Sequence, residues 1–501
     1  MTLEILLPFF VAVPLTVAGI TAAAGEHARW PRVLLMVTLV AQLLAALALV
    51  WHLRDGAVLA HGVGGWQGGI AIPFVADLLA ALMLTVTGIL AVACSAFALA
   101  TRTGRVRLFT PLVLALVAGV NGALLTGDLF NLFVFIEVML LPSYGLLILA
   151  RRRSGTAQAH TGSKLYVAFN LFVSTVFLAG VALVYGAAGT VNLAELAGMG
   201  AQDTLVGAGA GLALAALCMK AAVVPTHGWL ARAYPSTSPA ITALFSGLHT
   251  KVAIYAIYRI YAVVFDGDSR YLWIGLVAFT LTMVVGVLGA VGEDTTRSIL
   301  AFHMVSQIGY ILLGVALFTP AGLAAGIFYL LHHMIVKASL FLSTGAIEEH
   351  YGTNRLAELK ARIRREPLIA ASFLMAALSL AGLPPFSGFV AKLTLIVATV
   401  EAGHLWVAVA ALMVSLVTLM SMLKIWDAVF ASSRSDEEDK PSARIRAARR
   451  VRVPLPLVLP GAALALLTLS LGIGGELLYG LSSTAAAGLL DTSSYVQEVL
   501  R

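Results

Sequence analysis

The chain has 501 residues, of which 60% are hydrophobic and 11% charged, and its net charge is +7. Soluble domains carry roughly 25% charged residues, so this composition leaves too little polar surface for a water-soluble fold. The basic residues are scattered through short connections between apolar runs, which fits membrane topology and not a nucleic-acid surface. Cys94 and Cys218 lie in apolar stretches without CxxC spacing, which excludes a disulfide framework, an iron–sulfur site and a Cys-ligated zinc site.

A membrane-spanning helix needs about 20 apolar residues. Fourteen segments answer to that length, at 3–22, 31–51, 72–100, 107–126, 128–150, 163–187, 205–233, 239–262, 271–291, 297–318, 320–346, 367–402, 404–430 and 453–480. They predict an all-α polytopic membrane protein. No Lys or Arg precedes the first run and no small-residue cleavage site follows it, so it reads as a retained first helix. The chain runs about twenty residues past the last segment.

Lysine and arginine alternate with these segments. Connections after odd-numbered segments hold 23 of the 32: Arg29 and Arg32; Arg102, Arg105 and Arg107; Arg151, Arg152, Arg153 and Lys164; Arg232; Arg297; Arg355, Lys360, Arg362, Arg364 and Arg365; and the 431–452 connection. The even-numbered side holds Arg54, Arg259, Arg270 and Arg501. The positive-inside rule then places odd connections in the cytoplasm and both termini outside, as expected for a multi-pass protein of a bacterial cell membrane.

Five lysines remain inside or at the edge of segments. Lys424 stands three residues before Asp427 at a segment end and reads as a snorkelling anchor. Lys220, Lys251, Lys337 and Lys392 lie well inside. A mid-bilayer lysine costs about 2.5–3.5 kcal/mol on the mildest scale, so four of them call for a functional reason. Each could instead hold helices together through a carboxylate, but a static pair needs one lysine, and Glu137 is the one clearly mid-segment acid. A Glu–Lys pair exists either as an ion pair or as neutral acid plus amine, which suits proton transfer. His249, His303, His332 and His333 accompany the lysines, and His333 shares a helix face with Lys337 four residues on. Histidine titrates in the physiological range and suits a relay, although a membrane histidine also serves as a helix–helix hydrogen-bond donor. A haem reading would require histidines matched in depth, which the sequence does not establish; no cofactor or metal is expected.

Two segments are interrupted, at Lys220-Ala-Ala-Val-Val-Pro225-Thr-His227-Gly228-Trp229 and at Ala381-Gly382-Leu383-Pro384-Pro385-Phe386-Ser387-Gly388. Proline removes a backbone donor, and freed carbonyls in a bilayer must face protein or water. Broken helices at matching positions of two halves point to a transport site, and five segments separate these two. Ordinary proline kinks are the simpler alternative.

The run Gly127-Asp128…Asn131…Glu137, the block Lys220…Pro225-Thr-His227-Gly228-Trp229…Pro235…Pro239, Ser306-Gln307-Ile308-Gly309-Tyr310, His333…Lys337-Ala338…Phe341 and Gly382-Leu383-Pro384-Pro385…Gly388-Phe389…Lys392 together resemble the antiporter-like subunits of Mrp cation/proton antiporters and of complex I. The resemblance covers segments four to thirteen. It implies two inverted five-helix repeats, helices 4–8 (107–262) and 9–13 (271–430), flanked by 1–106 (helices 1–3) and by 431–501 (a basic cytoplasmic loop and helix 14). It also implies a hydrophilic axis of Glu137, Lys220, Lys251, Lys337 and Lys392. The Asn131–Glu137 run and the compact N-terminus are most similar to the D-type branch of the Mrp family, and the short tail differs from the long C-terminal extension of A-type and distal complex I subunits. M-type complex I subunits usually carry a glutamate where this chain has Lys392, whereas N-type subunits keep a lysine. Two functions follow as expectations. One is a sodium–proton antiporter subunit that works with other membrane subunits in the bilayer, and the other is a proton-pumping subunit of a redox complex. Neither involves nucleic acid. A purely structural scaffold would leave the buried charges without a use.

Overall fold

The computed structural model describes residues 3–25, 28–66, 71–154, 157–360, 366–431, 445, 448 and 451–501. Arg362, Arg364, Arg365 and most of the basic 431–452 connection lie outside the described residues. Among the described residues, eleven helices are long and apolar enough to cross a membrane, and three shorter apolar helices accompany them, Phe109–Leu125, Thr204–Lys220 and Pro367–Ala381. The protein is a multi-pass helical membrane protein. A two-stranded antiparallel hairpin, Leu59–Gly62 (β1) and Pro73–Ala76 (β2), is the only sheet among the described residues, and the all-helical expectation did not include it.

In chain order the principal helices are α1 (Phe9–Ala22), α2 (Trp30–Leu53), α3 (Leu78–Ala100), α4 (Phe109–Leu125), α5 (Leu129–Ser154), α6 (Ala157–Ala188), α7 (Thr204–Lys220), α8 (Gly228–Ala233), α9 (Pro239–Val264), α10 (Leu272–Val291), α11 (Thr296–Leu317), α12 (Pro320–Tyr351), α13 (Pro367–Ala381), α14 (Ser387–Glu401), α15 (Leu405–Trp426), α16 (Leu455–Ile473), α17 (Gly475–Leu490) and α18 (Ser493–Leu500). The fourteenth expected segment, 453–480, is therefore two helices that divide at Gly474 and reach further than its apolar run indicated. Side chains start several helices: Asp77 accepts from Ala80 N, Asp203 from Leu205 N and Val206 N, and Thr319 from Gly322 N. Proline sits at the first helical position of α9, α12 and α13, where its missing N–H costs nothing.

The centre of the bundle is α9 and α12, whose apolar windows are entirely buried, with α11 and α3 nearly so. The rim is α1, α2, α10 and α15, which present residues such as Leu44, Trp51, Leu288 and Met420 outward. In lipid an apolar outer face has no solvation cost, so these helices need only one packed side. Both chain ends lie on one face: the Leu3–Leu6 turn touches β1, and α18 touches both hairpin strands.

Two stretches of the chain repeat the same local construction. Asp128 accepts from Asn131 N at 2.7 Å before α5, and Thr295 accepts from Ser298 N at 3.2 Å before α11. Each of these capping residues also forms an isolated bridge, Asp128 with Asn192 and Thr295 with Arg355. A Cβ at Gly119 would lie 2.5 Å from Met139 N, and one at Gly286 would lie closer still to Ser306 N. One turn on, a Cβ at Gly122 would strike the Phe135 ring and one at Gly289 the Phe302 ring. The capping residues and the glycine contacts share one offset, 286 − 119 = 167, whereas the bridge partners Asn192 and Arg355 differ by 355 − 192 = 163. The two breaks match as well: Ala222 (φ +66°) stands three residues before Pro225, and Gly382 (φ +89°) three before Pro385.

Arg259, counted from sequence with the even-numbered side, lies inside α9 with 3% exposure. Its partner Asp77 explains the burial: the two side chains meet at 2.6 Å, and a paired charge tolerates an interior position that a lone one does not.

Candidate functional site

The four intramembrane lysines are all buried, Lys251 and Lys337 completely and Lys220 and Lys392 to within 4% exposure. Each sits on a helix of the central layer or at a helix break, and each ammonium has a polar acceptor.

Lys220 is the last residue of α7. The chain then leaves the helix through Ala221 and the left-handed Ala222, and resumes at Gly228. The freed backbone is partly repaired by Thr282 Oγ1, which accepts from Val224 N at 3.1 Å, and by Met219 O, which accepts from Trp229 Nε1 at 3.1 Å. A cavity of about 720 Å³ runs between α7 and α10 from Gln202 and Tyr271 near the hairpin face to Val223–Thr226 at the break. Gly207 and Gly211 line it, so the sparse face of α7 leaves the space open. Irregular backbone at membrane depth is tolerated where it lines such a cavity.

The Lys220 ammonium donates to Asn170 Oδ1 at 3.1 Å, and Asn170 Nδ2 donates to the Tyr166 carbonyl at 2.9 Å. The Tyr166 hydroxyl meets His249 Nδ1 at 2.5 Å, and His249 Nε2 meets Ser143 Oγ at 2.9 Å. Thus α5, α6, α7 and α9 are tied by one polar file. Glu137 lies on α5, with Oε1 buried and without a hydrogen-bond partner among the described residues. No Glu137–Lys220 ion pair within 4.0 Å forms among the described residues; Glu137 acts on Lys220 electrostatically at longer range, and Lys220 acts likewise on His249. Of the Glu–Lys pairings the sequence allows, the one at Lys220 is not direct: its ammonium contacts an asparagine instead.

Two residues beyond His249, Lys251 donates to Thr250 Oγ1 at 3.1 Å. Its charge acts on His333 and Lys337 of α12. Neither ring nitrogen of His333 has a partner among the described residues, which leaves both free to accept or donate. Lys337 donates to the Leu300 carbonyl at 2.8 Å. His303 Nε2 meets Ser421 Oγ at 2.9 Å, and the charges of both Lys337 and Lys392 act on it. Lys392 donates to the Ala381 carbonyl at 3.0 Å, which is freed where α13 ends at the second break. The same ammonium stands 5.1 Å from the Tyr310 ring centroid. His332 Nδ1 meets Ser387 Oγ, the first residue after that break, at 2.8 Å.

Of the nine ionisable residues picked out from sequence, Lys220, His249, Lys251, His303, His332, Lys337 and Lys392 are tied into the core by hydrogen bonds to neutral groups, and Glu137 and His333 are linked to the lysines by electrostatic influence alone. What sequence reasoning missed are their neutral partners, Asn170, Tyr166, Ser143, Ser387 and Ser421. Asn170 was detectable as an amide within an apolar run; the serines and Tyr166 carried no comparable signal. Among the described residues no group of His, Cys, Asp and Glu could hold a metal ion.

Residues 126–418 match the family described as NADH:quinone oxidoreductase/Mrp antiporter, TM. The chain is 37% identical to the D-type Na(+)/H(+) antiporter subunit of Alkalihalophilus pseudofirmus, over 98% of each chain. Its fold is similar to a chain in the structure of the Mrp complex from Dietzia sp. DQ12-45-1b, with a TM-score of 0.95, 54% identity and full coverage of both chains. It is also similar to a chain of the membrane-bound sulfane sulfur reductase, an archaeal respiratory membrane complex, with a TM-score of 0.85, 27% identity and full coverage of both.

Proposed function

Because this chain belongs to the NADH:quinone oxidoreductase/Mrp antiporter membrane family, we propose that it is the D-type component of a multisubunit Na+/H+ antiporter, part of an ion transporter and not an enzyme. In this reading protons pass along Glu137, Lys220, Lys251, Lys337 and Lys392, with His249, His303, His332 and His333 as relays, and their movement is coupled to sodium export by the assembled complex. The observation that carries it is the set of ionisable side chains from α5 to α14, buried at every lysine and histidine, in which each lysine is set against a neutral acceptor. A neutral acceptor leaves an amine free to gain and lose a proton, whereas a carboxylate partner would hold it charged.

The three shorter apolar helices bring the crossings to fourteen, with both termini outside and the basic connections in the cytoplasm. Residues 107–262 and 271–430 form two inverted repeats. The constant offset of 167 between Gly119/Gly122 and Gly286/Gly289 and between the Asp128 and Thr295 caps supports this, as does the shared geometry of the two breaks. Residues 1–106 and 431–501 flank them. Glu137 shares its face of α5 with the exposed Phe130, Val134 and Leu141, which suits a neighbouring membrane protein of the complex that hands protons to the first site.

The test is sodium-dependent dequenching of a pH probe in vesicles that contain the chain with its partner subunits. Wild-type dequenching that disappears with Lys220→Ala and with Lys392→Ala supports the reading. Copurification with flavin or iron–sulfur subunits, and proton pumping that requires an electron donor, would overturn it in favour of the redox-complex alternative.

A further inference from the structure

The proposed axis uses Lys251 but leaves aside two buried charges that stand outward of it. Lys251, Tyr255 and Arg259 follow one another at four-residue spacing on α9 and so share a face. Arg259 lies about 12 Å beyond Lys251 along the helix and about 8 Å short of its end at Val264. Along α9, Arg259 stands between Lys251 and the hairpin face, against Asp77 directly after β2.

Its surroundings are fixed on every side. Arg259 Nη2 meets Asp77 Oδ2 at 2.6 Å and donates to the Tyr255 hydroxyl at 3.3 Å. The Tyr495 ring of α18 covers it at 4.9 Å. Asp77 is itself anchored, because its Oδ1 caps α3 by accepting from Ala80 N at 2.9 Å. The Tyr255 hydroxyl gives its single proton to the Leu124 carbonyl at 2.7 Å. Nη1 of Arg259 is buried without a partner among the described residues, so the guanidinium is not matched donor for donor.

An arginine stays protonated at any attainable pH, so it cannot relay a proton. Packed beside Asp77 and under Tyr495, a guanidinium that keeps its proton interrupts a proton path at that level, and its buried, unpartnered Nη1 edge disfavours a second cation there, as in pores that use arginine to exclude cations. We propose that the Asp77–Arg259 pair, covered by Tyr495, is a cation-tight seal on the outward end of the Lys251 column. It prevents protons on the axis from escaping directly to the hairpin face and directs them sideways toward His333 and Lys337. Asp77 and Tyr495 are positioning residues that hold the guanidinium in the column.

The inference rests on the proposed axis through Lys251, and the experiment separates the two. The whole complex is reconstituted in vesicles with an imposed pH gradient and no sodium, and decay of the gradient is followed with a pH probe. Arg259→Gln combined with Asp77→Asn keeps a matched but uncharged pair, and should give several-fold faster decay than wild type. Arg259→Lys keeps the charge and should remain as tight as wild type. Adding Lys251→Met to the neutral pair should return decay to the wild-type rate. Tight vesicles from the neutral pair would overturn the seal. So would an Arg259→Lys complex with a several-fold leak, an outcome that decides the matter even if the neutral pair fails to assemble. A leak that survives Lys251→Met would overturn the axis through Lys251 instead.

Discussion

Lys220 is hydrogen-bonded to Asn170, at 3.1 Å, and not to Glu137. The contact places a neutral amide between the last residue of α7 and the tyrosine–histidine file of α6 and α9. Asn170→Leu should leave the ammonium buried without its acceptor, an effect of roughly 1–3 kcal/mol or more. Antiport should fall about tenfold or further, since each 1.4 kcal/mol is one order of magnitude. Asn170→Asp should also slow transport, because a carboxylate about 3 Å away holds the lysine charged. Sodium-dependent dequenching in vesicles, with assembly checked by size exclusion, measures both; a fully active Asn170→Leu complex would show that the contact has no part in transport.

Glu137 and Lys220 are distinguishable by arginine. Glu137→Ala should abolish antiport while the complex assembles, because Glu137 is the one acid of the proposed axis. Lys220→Ala should do the same. Lys220→Arg should retain the charge seen by Glu137 and His249 but lose transport, since a guanidinium does not release its proton. Wild-type rates with arginine at 220 would mean that fixed charge alone is required there.

The matched glycines make a packing prediction that is independent of transport. At Gly119 and Gly286 the backbones of neighbouring helices are so close that a Cβ would fall within 2.5 Å of a main-chain nitrogen. Backbone cannot give way as the end of a side chain can. Gly119→Leu and Gly286→Leu should therefore each lower stability by roughly 1–3 kcal/mol or more, and by similar amounts if the two sites are repeat counterparts. Thermal unfolding of the purified complex reads this, and a large cost at one site with none at the other would weaken the correspondence.

The bilayer makes much of this fold legible, because spanning length forces each helix into a recognisable apolar run and isolates every charge within it. Lys220, Lys251, Lys337 and Lys392 stood out for that reason. Which face of a helix meets which neighbour is not written in a single run, so Asn170, Ser387 and Ser421 could not be assigned as partners. Arg259 reads as an end-of-segment charge because it lies five residues from its helix end, and its burial is hidden because its partner Asp77 is 182 positions away. The repeat offset was hidden for a similar reason. Gly119 and Gly286 contact backbone, and the residues contributing that backbone, Met139 and Ser306, have nothing in common as side chains.

Lys392 gives the sharpest division between the two halves. Its ammonium caps the Ala381 carbonyl at 3.0 Å, the group released where α13 stops before Pro384-Pro385. Unwound backbone on one side and packed helix on the other suit a terminal exchange site, and its charge reaches both His303 and His332. Lys392→Ala should then block net antiport while leaving the first half able to take up a proton. The Glu137 carboxyl band in pH-dependent infrared difference spectra should titrate in Lys392→Ala as it does in wild type, even though dequenching is lost. Lys392→Arg should cap Ala381 yet remain inactive, which separates a proton-exchange role from a merely structural cap. An unchanged antiport rate in Lys392→Ala would refute the assignment and leave the second break as a structural feature of the scaffold.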